Sequence, residues 1–387
     1  MTQYRAFTAE DATQAAAAAL FQRSGEPVTI GNVQNLGGEE RRNLIVRATA
    51  TAPDGSLTGI IIKATRAAPY DPAAENIYEK SGLIREWAAT TLLAAQGHAA
   101  LLAADLTNGV LVFADYGEHL TSLVQPLLHG TAAEAEHALT AYARGLARLH
   151  AETIKCRDRH AQIIRDALPA AILPKPGHAW IDREPRPVLA LLGGTLPEDE
   201  LDLMARRLQS PGPWQTLVHR DPCPDNVLLT DEGTAHLIDF EFTGPGHALL
   251  DAVYPSMGFP TCWCAGRIPD PVIDRIERAW RAAVAPAIPQ AADDQTFQHE
   301  SAIISMIWMF GALAWLLEDA LKQDHDWGIA KNRSRILHYL SEAIRRSADA
   351  DILAGTRQTV SAWRDDLQNR WPSTEPLAVY PAFRPAA

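Results

Sequence analysis

Leu217-Val218-His219-Arg220-Asp221-Pro222-Cys223-Pro224-Asp225-Asn226-Val227-Leu228-Leu229 runs through the turn residues Asp231-Glu232-Gly233 into Ala235-His236-Leu237-Ile238-Asp239-Phe240-Glu241-Phe242. Two short apolar runs, Val227 to Leu229 and His236 to Ile238, flank that turn, which is a hairpin signal. Asp221 precedes the hairpin, Asn226 stands at its entry and Asp239 closes it. Such a hairpin brings Asn226 and Asp239 side by side, with Asp221 on the adjoining loop. Two oxygen ligands for magnesium and one carboxylate facing an acceptor hydroxyl are what phosphoryl transfer from a nucleotide requires.

Upstream, residues 8 to 23 are predicted to form an alanine-rich amphipathic helix capped at Thr8 and ending near Ser24-Gly25. Three strand-like runs follow: Val28 to Val33, Leu44 to Thr51 and Leu57 to Thr65. The stretch from Asn35 to Asn43, which contains Gly37-Gly38 and Arg41-Arg42, joins the first two, and Pro53-Asp54-Gly55 turns the second into the third. Ser81-Gly82 opens a helix expected to reach Ala95 and stop at Gly97, with Glu86 one turn in. Residues 99 to 104 and 109 to 114 are two more apolar runs around Thr107-Asn108-Gly109. After Phe113-Ala114-Asp115-Tyr116-Gly117 the pattern becomes helical, so the domain boundary is placed after residue 115.

Downstream, Thr131 with Glu134 makes a capping box for a helix to Glu152. Residues 166–215 are rich in proline and read as an insertion with little regular structure, interrupted by one helix behind a Thr195/Glu198 box. Long helices are expected near 271–283, 294–322, 332–348 and 352–370. Their tryptophans (Trp308, Trp315, Trp327) suit either core packing or an apolar pocket wall. The nearby Glu318, Asp319, Asp324 and Asp326 suit either a solvated face or an amine-bearing ligand.

With 387 residues the chain is long enough for two domains, and its net charge of −12 argues against a nucleic-acid or anionic-membrane partner. The least polar run, Ala302 to Leu317, is short for a membrane span and reads as a buried helix. Four irregularly spaced cysteines make no disulfide framework, and Cys262-Trp263-Cys264 has no second pair at zinc spacing, so reduced thiols are expected. Nothing near the N-terminus suggests export, and a cytoplasmic location is the expectation.

On these residues the chain resembles the aminoglycoside phosphotransferase family and its choline-kinase-like relatives, which share the protein-kinase-like fold. The motif is His219-Arg220-Asp221, then Asn226, followed thirteen residues later by Asp239 within Ile238-Asp239-Phe240-Glu241. Leu146-Ala147-Arg148-Leu149-His150 upstream and Asp251 downstream also resemble that family. The resemblance implies an α+β, bilobal fold, with a small antiparallel-sheet N-lobe (1–115) that binds nucleotide and a large, mostly helical C-lobe (116–387). It implies Mg2+ as cofactor and ATP or GTP as phosphoryl donor. It also implies Asp221 as the catalytic carboxylate, Asn226 and Asp239 as metal ligands, and Lys63 on the third strand holding the α- and β-phosphates. Glu86 would orient Lys63, with Glu75 and Glu79 as alternatives upstream. Gly37 and Gly38 would lie over the phosphates, with Arg41 or Arg42 either reaching them or solvated, and the backbone at Ala114 to Tyr116 would meet the base. His219 and Asp251 would support the catalytic loop, and Glu241 would touch metal or substrate or stand behind them.

The chain departs from protein kinases in three places. Cys223 stands where they carry a lysine, Glu241 follows Asp239-Phe240 where they carry glycine, and no Ala-Pro-Glu segment follows. These departures favour a small-molecule hydroxyl acceptor, with amine-bearing molecules suited by the negative charge. The remaining readings are a protein kinase, to which Arg220 is similar, and a catalytically inactive nucleotide-binding pseudokinase. The oligomeric state is open.

Overall fold

The computed structural model describes residues 8–38, 42–66, 70–95, 100–174 and 179–385. The chain forms two compact units. One comprises Met1–Leu120, Arg157–Pro174 and Asp239–Gly244; the other comprises Thr121–Cys156, Lys175–Ile238 and Pro245–Ala387.

The first unit is a five-stranded antiparallel sheet covered by helices. Helix α1 (Ala9–Ser24) starts at Thr8, whose hydroxyl accepts the Asp11 N–H while the Asp11 side chain accepts the Thr8 N–H. Ala12, Ala16 and Ala19 form its buried stripe. Strands β1 (Thr29–Asn35), β2 (Asn43–Thr51), β3 (Leu57–Thr65), β4 (Leu101–Asp105) and β5 (Val110–Ala114) lie in the order β1-β2-β3-β5-β4. The β4–β5 turn needs glycine: Gly109 has φ +68°, and a Cβ there would stand 2.6 Å from Thr65 Cγ2.

The period of two along β3 decides what faces where. Ile60, Ile62 and Ala64 pack with the α1 alanines in one apolar cluster. Lys63 lies between them in sequence, so it projects to the other face, opposite Ile45 on β2 and Leu111 on β5 in register. On that face a second cluster joins Leu83, Ile84 and Trp87 of the helix Gly82–Ala94 to Leu111, and to Ile164 and Leu168. Burying these side chains contributes roughly 1.5–3 kcal/mol each, which holds the Glu86 helix on the sheet.

The second unit is mostly helical. Helix Ala132–Glu152 begins at the expected Thr131/Glu134 capping box. Helices Asp270–Val284, Asp294–Lys322, Asn332–Asp349 and Ala354–Arg370 follow the expected pattern. Asp294–Lys322 is long and apolar enough to cross a membrane, yet its apolar window is 78% buried within the protein, as a core helix requires. The hairpin pairs Val227–Leu229 with Ala235–Leu237, and Thr121–Ser122 adds a third short strand.

The antiparallel sheet and the helical unit are those of the expected α+β class. The division differs from a single cut after residue 115: residues 157–174 and 239–244 group with the sheet, and the first segment runs to Leu120. The 166–215 stretch is not irregular. Helices Ala179–Arg183, Pro185–Leu192 and Glu198–Gln209 occupy much of it. Its prolines misled because Pro185 sits in a helix's first turn, where a missing N–H costs nothing, and Pro197 sits at a cap. The Thr195/Glu198 box does not form; Pro197 is the N-cap and no side chain caps that helix. Arg41, the expected stop at Gly97 and Pro176 lie outside the described residues.

Candidate active site

In the first unit, Lys63 Nζ lies 2.6 Å from Glu86 Oε2, 2.5 Å from Asp239 Oδ1 and 4.0 Å from Glu241 Oε2. The lysine's partner is thus Glu86, not Glu75 or Glu79. Burial works to lower the ammonium's pKa, but Glu86, Asp239 and Glu241 outweigh it and hold Lys63 above its ordinary value. Three carboxylates share this one cation. Burial therefore pushes the Glu86 carboxyl up despite Lys63, with Asp239 and Glu241 adding like charge.

The Asp239–Glu241 segment is pinned from three sides. Phe240 N–H donates to Glu86 Oε1 at 3.3 Å, Arg85 Nε donates to the Glu241 carbonyl at 2.6 Å, and Asn43 Nδ2 donates to Glu241 Oε2 at 3.1 Å. These bonds hold Asp239 in the left-handed region at φ 62°, a strained conformation for a residue with a side chain.

Gly37 follows β1, and its N–H donates to Asn35 Oδ1 at 3.1 Å; the Gly38 carbonyl accepts from Arg66. Ala114 ends β5, and its N–H donates to Ala100 O, so it has no N–H to offer a nucleotide; the Asp115 N–H is taken by Gly59 O. Tyr116 is part-buried, and burial raises its phenol pKa.

In the second unit, Asp221 is held by neutral donors. Its Oδ1 accepts from Thr261 Oγ1 at 2.5 Å, Cys223 Sγ at 3.1 Å and Tyr254 OH at 3.3 Å. Burial pushes the Cys223 thiol and the Tyr254 phenol well above their usual values, so both keep a proton to donate. Asn226, in the 3₁₀ turn Pro224–Asn226, donates its Nδ2 to the Asp221 carbonyl at 3.0 Å and to Oδ2 at 3.4 Å. Among the described residues no lysine, arginine or histidine pairs with Asp221.

Asp251 anchors this loop from a fully buried position. Its Oδ2 accepts the His219 N–H at 2.7 Å and its Oδ1 the Arg220 N–H at 2.9 Å, where Arg220 adopts φ 65°. His150 Nε2 lies 3.0 Å from the same carboxylate. Trp280 Nε1, a donor only, bonds His150 Nδ1 at 3.1 Å, so the histidine is neutral and its Nε2–H donates to Asp251. His219 Nε2 donates to the Ile238 carbonyl at 3.0 Å, a bracing contact.

Thr261 and Tyr254 were beyond sequence reasoning, because hydroxyls 40 and 33 residues away carry no spacing signal. Of the helix 294–322 tryptophans, Trp308 packs in the core and donates to Leu250 O at 2.7 Å, whereas Trp315 is exposed. Glu318 and Asp319 pair with Lys322 on the surface, which favours the solvated-face reading for them.

Both expected metal ligands offer hard oxygen. Asn226 turns its amide nitrogen to Asp221, leaving its carbonyl oxygen as a ligand atom, and Asp239 keeps a 39%-exposed carboxylate. Each, taken by itself, is the kind of hard-oxygen donor that suits Mg2+.

Residues 80–280, just over half of the chain, match the model of the phosphotransferase enzyme family. The chain belongs to that family. The phosphotransferase moves a phosphoryl group to a hydroxyl acceptor. No curated protein matches it in sequence. Similar solved structures include the choline/ethanolamine kinase family protein from Mesorhizobium loti, at 18% identity and TM-score 0.43, with 92% of this chain and 100% of that one covered. Choline kinase LicA from Streptococcus pneumoniae is 15% identical with TM-score 0.44, covering 82% of this chain and 94% of that one. Macrolide 2'-phosphotransferase MphH from Brachybacterium faecium is 15% identical with TM-score 0.37, covering 78% and 97%.

Proposed function

We propose that this phosphotransferase carries the γ-phosphoryl group of ATP or GTP to a hydroxyl of a small, amine-bearing acceptor. The observation that carries the reading is the Asp221 carboxylate, fixed at Oδ1 by Thr261, Cys223 and Tyr254, with no cation paired to it among the described residues. A carboxylate so held can orient the acceptor hydroxyl and take its proton, and positioning is most of what a loose phosphoryl-transfer transition state asks of a protein.

Lys63, kept charged by three carboxylates, would hold the α- and β-phosphates, and Glu86 fixes its direction. Asn226 and Asp239 would hold Mg2+, which when bound would offset charge on the phosphates. Asp251, with His150 behind it, keeps the backbone before Asp221 in place. The presence of Lys63, Asp221, Asn226 and Asp239 together speaks against an inactive pseudokinase. For the acceptor, the exposed indoles of Trp263 and Trp315, with Trp327 edge-on to Trp315 at 4.9 Å, offer faces that attract an organic cation.

The test is nucleotide consumption with each of ATP and GTP across choline-like amines, amino alcohols, aminoglycosides, macrolides and neutral sugars. Turnover is expected with an amine-bearing alcohol. Turnover on proteins alone would sink the small-molecule reading.

A further inference from the structure

Cys223, Cys262 and Cys264 of the second unit form a cluster whose one link to the proposed transfer site is the bond from Cys223 to Asp221. Cys262-Trp263-Cys264 has no second cysteine pair nearby in sequence, but the fold supplies other donors. The donor atoms of Cys223, Asp225 and Cys262 all lie within 4.8 Å of one another. Cys262 Sγ is 3.8 Å from Asp225 Oδ1, and Cys264 Sγ is 2.9 Å from Cys262 Sγ. Ligands held about 2.0–2.3 Å from a tetrahedral zinc stand roughly 3.5–3.8 Å apart, so a small contraction brings the first three donors to that spacing.

The site is built rather than incidental. Fully buried Arg335 donates to the carbonyls of Cys262, at 2.8 Å, and Trp263, at 3.3 Å. Tyr380 OH donates to the Cys264 carbonyl at 2.7 Å. The backbone carrying the two thiols is thus fastened without a disulfide between them. On the other side, Pro222 and Pro224 stiffen the loop that presents Cys223 and Asp225. Asp225 is exposed, giving an ion a way in, and Trp263 Nε1 steadies its carboxylate at 2.9 Å.

We propose that Cys223, Cys262 and Asp225 bind a thiophilic divalent cation of the Zn2+ type, with Cys264 in reach as a fourth donor. Soft sulfur ligands discriminate against Mg2+, so this site is chemically separate from the oxygen donors Asn226 and Asp239. Each ligating thiol gives up its proton: two Cys–SH groups and one M2+ yield two metal–thiolate bonds and two H+. Affinity therefore rises with pH. One of those protons is the one Cys223 donates to Asp221 Oδ1. Zn2+ is accordingly expected to slow transfer; that consequence, unlike the binding itself, rests on Asp221 being the catalytic carboxylate.

Binding and activity are measured separately on the full-length, reduced protein. Co2+ as a probe should give sulfur-to-cobalt charge-transfer absorption at one equivalent, and Zn2+ should displace it. X-ray absorption of the zinc-loaded wild type should show two or three sulfur ligands. Cys223→Ser, Cys262→Ser and Asp225→Asn should each weaken Zn2+ binding at least about tenfold, with Cys156→Ser unchanged. An oxygen- and nitrogen-only shell, or metal affinity and charge-transfer absorption unchanged in both Cys223→Ser and Cys262→Ser, overturns the site. The wild-type absorption measurement and the exposed Asp225→Asn variant keep the test valid if a cysteine variant fails to fold. Zinc binding without inhibition leaves the site standing and counts against the role of Asp221.

Discussion

Lys63 and Asp221 are the central groups of their respective units, and they are held in opposite ways. Lys63 is buried among the carboxyl groups of Glu86, Asp239 and Glu241. Asp221 is held by an alcohol, a thiol, a phenol and an amide, all neutral. A cation meant to meet phosphate must stay charged when desolvated, and carboxylates alone ensure that. A carboxylate meant to receive a hydroxyl's proton must be fixed without being neutralised, and neutral donors do that. The same need for rigidity is met by different chemistry, as the different roles proposed for the two groups would require.

The hardest test of this contrast is Asp221→Ala. Its kcat is expected to fall about 10²–10⁴-fold while nucleotide affinity, read by titration calorimetry, is kept. Retained turnover would remove Asp221 from the reaction. Lys63→Met comes next, with kcat/KM lowered about 10²–10³-fold. Because Glu86 is then buried without its cation, denaturant unfolding should also show a loss of about 3 kcal/mol. Adding Glu86→Gln to that variant should restore part of the stability and none of the activity. If neither change moves stability, the cluster is not held by charge.

Thr261→Val tests the neutral side. Removing one of the donors to Oδ1 should lower kcat about tenfold and leave nucleotide affinity and the fold intact. A change in nucleotide affinity instead of kcat would mean that Thr261 does not act through Asp221.

The smallest effect extends the contrast to carboxyls away from the site. Glu184 is held chiefly by a neutral donor, Trp180 Nε1 at 2.5 Å, and burial pushes it up to about 7. Glu342 lies between Arg345 and Arg346, which drive it down to about 2 although burial pulls the other way. For Glu184 the folded value lies above the ordinary 4.5, so its contribution is complete below that pH and is lost as pH rises through about 7. For Glu342 the contribution is present above 4.5 and lost as pH falls toward about 2. Glu184→Gln should therefore flatten the decline in stability between about pH 4.5 and 7 by up to about 3 kcal/mol, measured by denaturant midpoints across pH.

Much of this was legible residue by residue. The alternation in β3 puts Lys63 on the face opposite Ile60 and Ile62, and that alternation is written in the chain. The cap at Thr8 and the capping box at Thr131 are local bonds between near neighbours, so composition and spacing reveal them. The Thr195/Glu198 pattern failed for the same kind of reason: Pro197 takes the N-cap position, and a two-residue match cannot register a competitor. Likewise, proline content alone does not distinguish a loop from the first turn of a helix.

What the sequence determined by itself was therefore the local and the periodic: five strands, the long helices, the hairpin with Asp221, Asn226 and Asp239 around it, and the lysine on the third strand. Only the tertiary structure decided which glutamate meets Lys63, which hydroxyls hold Asp221, that His150 backs Asp251, and that Cys223 and Asp225 converge with Cys262. Those choices join residues from about twenty to about a hundred positions apart. Burial and packing bring such residues together, and neither leaves a period or a spacing in the chain for a reader to find.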